Sequence, residues 1–256
     1  MSTVDISLGE VAASLALIAL AVAVSFWRRA ELEQDLGVAV LRSFLQLTAV
    51  GYVIQAIFDS DSLWLVAGLL AIMVGFGAFT ARSRARGVPG ALAPLVLALG
   101  AAGGVTLGLV LALGVFEAEP RYLVPVGGMV IGNSMTAAAV ALNRLADEVR
   151  GQAPLIEAML ALGATSRQAA RGLVTRSLRS GMIPLIDSTK TTGVVFFPGT
   201  MVGMLVAGAE PIDAVRLQLV LLWVLLGSVA LAALIAVSLG YRGFFTPAHQ
   251  LREPPT

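Results

Sequence analysis

ALAPLVLALGAAGGVTLGLVLALGV, residues 91–115, is a run of 25 residues without one charged side chain. Crossing the hydrocarbon of a bilayer as a helix takes about 20 apolar residues, so this run is long enough to cross once. Outward from it, similar runs occupy 5–27, 43–58, 63–81, 123–143, 188–208 and 214–240, which makes seven. The run at 43–58 is short and reaches spanning length only by extending back through Val38 towards Arg42. The chain is 57% hydrophobic and 13% charged, against roughly 25% charged in soluble domains, and its mean hydropathy is +0.88. That is more apolar surface than one soluble core of this length can hide. The expected fold is all-α: a polytopic membrane protein with about seven transmembrane helices, forming one membrane domain over 1–256.

Charge sets the expected orientation. The first ten residues, MSTVDISLGE, carry acids and no Lys or Arg, while Trp27 ends the first run and Arg28 and Arg29 follow it. A cleaved signal peptide has the reverse arrangement, so the segment reads as a retained span with its amino terminus outside. The inner segments are then 28–42, 82–90, 144–187 and the tail from 241. They hold fourteen of the seventeen Lys and Arg residues. The outer segments hold Arg121 and, at a boundary, Arg216, beside Asp59, Asp61, Glu117, Glu119, Glu210 and Asp213. This is the positive-inside pattern, predicting N-out and C-in. Because the outer loops are only short turns, a soluble partner would meet the protein in the cytoplasm.

Inside the membrane, small residues four apart let helices approach closely. Gly100, Gly104 and Gly108 form one such row, Gly128 and Gly132 a second, and Gly199, Gly203 and Ala207 a third. These rows serve either packing within one chain or a homodimer seam. Polar residues at membrane depth are costly and often functional: Gln46 and Gln55 mark the second run, and Asn133, Ser134 and Thr136 the fifth. They either bond a neighbouring helix or, in the case of Asn133 and Ser134 with the flanking Met129 and Met135, line a route for substrate. In the sixth run Pro198 lacks an N–H and Gly199 adds freedom, which predicts a broken helix there. Broken helices survive at membrane depth only where protein or an aqueous cavity covers them, so Pro198, Gly199 and Gly203 are candidate gate residues. Asp187 and Lys190, three apart, are expected at the cytoplasmic edge of this run.

Some chemistries lack their residues. There is no cysteine, and the single histidine, His249, lies in a Pro-rich tail with no second imidazole to help it bind a metal. It reads as an ordinary tail residue. No nucleotide-binding glycine loop, zinc-protease motif or catalytic constellation is present. No catalytic residue, bound cofactor or nucleic-acid partner is expected of this chain, metal ligands stay open, and any ATP used must be bound by another.

The inner segment 144–187 contains IEAMLALGATSRQAARGLVTRSLRS, residues 156–180, with Arg167, Arg171, Arg176 and Arg179. Pro154 suits a helix start, Gly163 a stop or sharp turn, and Thr165 or Ser166 the cap of a second helix. Residues 152–180 thus read as one or two helices, which could lie on the membrane with the arginines on anionic lipid, or dock on a soluble domain. Docking is favoured, because this projection joins directly to the broken sixth run.

EAMLALG, Glu157 to Gly163, resembles the coupling motif of ABC-transporter permeases, with Met159 in place of the usual second alanine and the downstream proline late, at Pro184. VGGMVIGNSM at 126–135, EAMLALGATSRQAA at 157–170 and FFPGTMVGMLVAGAEP at 196–211 resemble the bacterial family that contains the iron-export ABC permease and is related to plant aluminium-sensitivity membrane proteins. The resemblance covers nearly the whole chain. It implies a multi-pass permease of the bacterial cytoplasmic membrane that pairs with a second copy of itself and two copies of a cytoplasmic ATPase, the ATPase holding ATP and Mg. It also implies that Glu157, Ala158 and Gly163, with Arg167 and Arg171 beyond them, fall in a coupling segment. Asn133, Ser134 and 198–203 fall in the family's membrane motifs. Iron or another metal-related cargo is the function it suggests. A gradient-driven secondary transporter or a membrane scaffold recruiting a soluble protein are the other readings.

Overall fold

The computed structural model describes residues 7–60 and 62–252. The start of the first expected span, residues 5 and 6, and the acidic outer residue Asp61 lie outside the described residues. The chain forms α1 (Leu8–Arg28), α2 (Glu33–Ser60), α3 (Leu63–Arg84), α4 (Leu92–Ala112), α5 (Pro120–Gly151), α6 (Ala153–Ala161), α7 (Ser166–Thr191), α8 (Gly199–Val206) and α9 (Pro211–Gly240). Six of these helices, α1 to α5 and α9, are long and apolar enough to cross a membrane. The protein is an all-α, polytopic membrane protein.

The expected sixth crossing, 188–208, is not one helix. A capping box, in which Thr165 and Gln168 satisfy each other's backbone N–H groups, starts α7 at Ser166. The helix therefore runs through the polar residues of the basic segment before it reaches the apolar ones. It ends at Thr191, ahead of Gly193 at φ +84°. Residues 192–198 form a non-helical turn in which Gly193 N–H donates to the Phe196 carbonyl and Val195 N–H to that of Thr191. Pro198 then accepts from Val202 N–H at the start of α8. The break thus opens six residues before the expected Pro198-Gly199 point, and the proline begins the next helix.

The described residues divide into two compact units, one of 7–60 with 206–208, the other of 62–205 and 209–252. In the first, α1 and α2 form a hairpin turned by Arg29 in the left-handed region at φ 54°. Ser25 Oγ accepts from Leu32 N–H at 3.1 Å and donates to Glu33 at 3.0 Å, closing the turn. The second run reaches back to Glu33, well beyond Arg42, and so has ample spanning length.

In the second unit the close contacts fix the helix directions. Gly127 lies against Leu70 and Gly87 against Ala146, so α3 and α5 run the same way. Gly240 meets Leu142, and Val130 clusters with Val229, which makes α9 parallel to α5. Gly181 sits against Ala137 and Ala141 while Arg176 meets Glu148, so α7 runs opposite. Helix α4 also opposes them, with Gly100 at Val74 and Thr106 bonded to the Ser228 hydroxyl. The core is largely alanine, leucine and valine, with Leu95, Leu99, Leu142 and Leu145 fully buried. These alanines let the backbones approach as small residues do in lipid.

This alternation brings the ends of α3, α5 and α9 together with the start of α7. Arg82, Arg84, Arg144, Arg150, Arg167, Arg171, Arg176 and Arg242 therefore share one end of the unit. At the opposite end, Arg121 and Arg216 are each neutralised locally, by Glu119 at 2.6 Å and Asp213 at 3.3 Å.

Candidate functional site

The antiparallel register of α5 and α7 decides where the polar residues lie. Gly181 faces Ala137 and Ala141, and Asp187 comes six residues later, about 9 Å along the helix. That sets Asp187 and Lys190 level with the middle of the apolar stretch 123–143 of α5, not at the cytoplasmic edge expected from sequence. Leu185 and Ile186, just before them, pack with Val130 and Ala137. Asp187 Oδ1 and Lys190 Nζ are 4.0 Å apart, and both side chains are largely exposed in the single chain.

Beside this pair Asn133, Thr136, Pro184 and Ser188 line a cleft of about 150 Å³. Asn133 donates to the Met129 carbonyl at 2.8 Å and Thr136 to that of Gly132 at 3.2 Å. Each bonds its own helix, and both are exposed. Neighbouring Ser134 points the other way: it is fully buried, and its Oγ has no hydrogen-bond partner among the described residues. The structure thus separates Asn133 from Ser134. Met129 and Met135 pack against the two apolar cores, as filler rather than lining. An exposed ion pair and amide in the apolar layer would cost several kcal/mol against lipid. Their face requires water or another polypeptide.

Of the small-residue rows, Gly104, Gly108, Gly132, Gly199 and Gly203 have open space where a Cβ would stand. Gly128 of the second row does approach a neighbour, with Met73 Cε 3.0 Å from where its Cβ would stand, and the tighter approaches at Gly127, Gly181 and Gly240 fall outside the rows. Among the described residues no group of three or more His, Cys, Asp or Glu side chains could hold a metal ion.

At the basic end α6 and α7 form a helical hairpin, with Pro154 in the first turn of α6 and Gly163 turning the chain at φ +89°. Ile156 is buried, with Met159 and Leu160 packed partly behind it. Glu157 and Ala158 are exposed, and so are Leu155 and Leu162, the latter 89%. The exposed side of the hairpin thus carries two leucines next to the polar Glu157.

The hairpin is tied to α5 by Glu148, which is only 7% exposed. Its carboxylate accepts from Arg176 Nη2 and Nε at 2.8 and 2.9 Å, from Arg144 at 2.6 Å and from Gln152 at 2.6 Å. A buried carboxylate shared by two guanidiniums is a strong, directional link. His249, expected to be an ordinary tail residue, also has a structural contact. Ser166 donates its N–H to His249 Nδ1 at 3.3 Å, and the Ser166 hydroxyl lies 2.7 Å from the same nitrogen. A side chain 83 residues away thus occupies the start of α7. Residues 248–251 and Glu157, Leu160 and Gly163 wall a shared groove of about 500 Å³. Arg167 and Arg171 face a different groove and Ala158 lines neither, so the five expected coupling residues do not share one site.

Sequence reading missed Glu148, Ser188 and His249. Glu148 and Arg176 carried a weak signal as opposite charges in one polar segment, but they stand 28 positions apart. Nothing local marked His249 as a partner of Ser166.

The model of the family described as Uncharacterised protein family (UPF0014) matches residues 8–245. UPF0014 membrane protein STAR2 of Oryza sativa subsp. japonica is 40% identical over 94% of this chain and 85% of its own length. Protein ALUMINUM SENSITIVE 3 of Arabidopsis thaliana is 39% identical over 94% and 88%. Probable iron export permease protein FetB of Escherichia coli (strain K12) is 34% identical over 98% and 97%. No solved structure matches the chain.

Proposed function

This chain belongs to the UPF0014 family, and from that premise we propose that it is the membrane permease subunit of an ATP-driven ABC exporter in a bacterial cytoplasmic membrane. In this reading the basic end faces the cytoplasm, as the positive-inside rule requires, the amino terminus is outside, and α7, the 192–198 turn and α8 complete the sixth of seven crossings. Two copies of the chain pair with two copies of a cytoplasmic ATPase, which holds ATP and Mg. The cargo is iron or another metal-related species, a choice supported by the name of the relative described as a probable iron export permease.

The observation that carries the reading is the continuity of α7. One helix starts at the exposed hairpin, passes the Glu148 clamp, and ends in the apolar layer at Asp187, Lys190 and the broken turn. The ATPase engages Leu155, Glu157, Ala158 and Leu162. Its closure on ATP shifts α6, and α7, held by Glu148, carries the shift to the 192–198 turn and α8. Asn133, Thr136, Ser188, Asp187 and Lys190 line the route, covered by the second copy. Pro198, Gly199 and Gly203 move with the gate. Coupling requires that the hairpin contacts differ between the two states of the ATPase.

The test is transport in proteoliposomes with and without the candidate ATPase, following ferrous iron and a non-metal solute with ATP on the hairpin side. ATP- and ATPase-dependent iron movement, abolished by Glu157→Arg in a complex that still assembles, is the expected result. Stimulated hydrolysis without iron movement overturns the cargo. Transport driven by an ion gradient without any ATPase overturns the energy source, and the intramembrane Asp187–Lys190 pair would then be its coupling element.

A further inference from the structure

Arg167 and Arg171 lie one turn apart on α7, and Val174 and Thr175 continue the same stripe. Opposite them, Ser238 at the end of α9 and Tyr241 and Arg242 just after it stand at positions i, i+3 and i+4. The two stripes wall a groove of about 730 Å³. Among the described residues none of its three guanidiniums has a carboxylate within ion-pair distance. Nearby Arg144 and Arg176, by contrast, both close on Glu148, and Arg150 reaches Asp147. Three like charges around one groove repel each other until an anion joins them.

The position of the groove indicates what kind of anion. Gly240 packs on Leu142, the last apolar residue before Asn143 and Arg144, so the groove sits where the apolar layer ends. One turn deeper on the same face of α9, Leu234 is half exposed. Tyr241, with an apolar ring and a polar hydroxyl, suits the same boundary. Cations above and uncovered aliphatic surface below fit an amphiphile with an anionic head. An acidic protein surface would leave the apolar flank unused.

We infer that the groove between α7 and the end of α9 is a binding site for the phosphate headgroup of an anionic phospholipid, held by Arg167, Arg171 and Arg242, with an acyl chain along Leu234. The site rests on the membrane-spanning fold and does not depend on the ATP-driven reading. Bound lipid would tie the start of α7 to the membrane, so lipid composition would bias the hairpin.

The experiment titrates the purified full-length chain in neutral detergent with short-chain phosphatidylglycerol, short-chain phosphatidylcholine and inorganic phosphate, reading bound copies by native mass spectrometry. One tightly bound phosphatidylglycerol per chain is expected, weakened by salt, with phosphatidylcholine and phosphate far weaker. Each arginine is worth about fivefold in affinity, so Arg167→Gln/Arg171→Gln/Arg242→Gln loses on the order of a hundredfold. Arg242→Gln alone loses about fivefold, which keeps the test open if the triple variant misfolds, while Arg86→Gln at the same end binds as the parent does. Equal binding of the two lipids, or an Arg242→Gln variant indistinguishable from the parent, overturns the site. Saturation by phosphate alone reassigns it to a soluble anion, and displacement of lipid by the ATPase reassigns it to the protein interface. Either result overturns the lipid assignment.

Discussion

Glu148 is the residue on which the basic end depends most. Removing its carboxylate leaves Arg144 and Arg176 facing each other with no counter-charge, and Gln152 without its acceptor. Breaking a buried ion pair by deleting one partner is far costlier than losing a surface pair, although the half-exposed arginines recover some solvation. Glu148→Ala is expected to cost about 2 kcal/mol and to loosen the hairpin before the spanning helices. Glu148→Gln keeps the hydrogen-bonding shape without the charge and should fall between the two. Hydrogen exchange along 153–180 together with thermal unfolding checks this, and equal protection in the parent and the alanine variant would remove Glu148 from its role. The residue was legible in sequence only as one acid in a basic segment. Its partner Arg176 becomes visible once α5 and α7 are laid antiparallel.

Among the elements, α7 departs most from the sequence reading. Hydropathy started the sixth crossing at 188, because the arginines before it depress any apolar window. The Thr165 capping box instead starts a 26-residue helix at Ser166, and the small side chains Ala169, Ala170, Ser177 and Gly181 bury its inner face. The hairpin boundaries were legible, since Pro154, Gly163 and Thr165 act through local backbone chemistry. The depth of Asp187 and Lys190 was not, since it depends on which turn of α5 faces Gly181. That contact is tight: a Cβ on Gly181 would lie 2.7 Å from the Ala137 carbonyl oxygen and from Ala141 Cβ. Gly181→Val should therefore cost about 1–3 kcal/mol through overpacking. Gly104→Ala, with open space around it, should leave unfolding of the single chain unchanged or slightly delayed. Melting the two variants side by side in detergent decides whether close approach at this point holds α7 in register.

At the scale of the whole molecule, the exposed polar face of α5 and α7 and the uncovered glycine rows describe a chain whose surface is incomplete in lipid. Water or a second copy must cover that face. The absence of cysteine makes this directly measurable. Lys190→Cys in native membranes should react with a water-soluble maleimide, whereas Trp223→Cys, replacing an exposed aromatic on the apolar α9, should not. Equal silence at both positions would place the α7 face in a dry environment and remove it from the transport route.

The sequence by itself determined the class of protein, its apolar segments, the concentration of arginine in a few of them, and the start and turn of the α6–α7 hairpin. Those properties follow from composition, hydropathy and nearest-neighbour backbone chemistry, which a linear string contains in full. Only the tertiary structure decided that the sixth apolar run is divided between the end of a long helix, a turn and a short helix, that Ser134 is buried while Asn133 is exposed, and that Glu148 gathers Arg144 and Arg176. It also decided that His249 meets Ser166 and that Arg242 joins Arg167 and Arg171. Each of these depends on the register between helices distant in sequence, set by where small residues let two backbones touch.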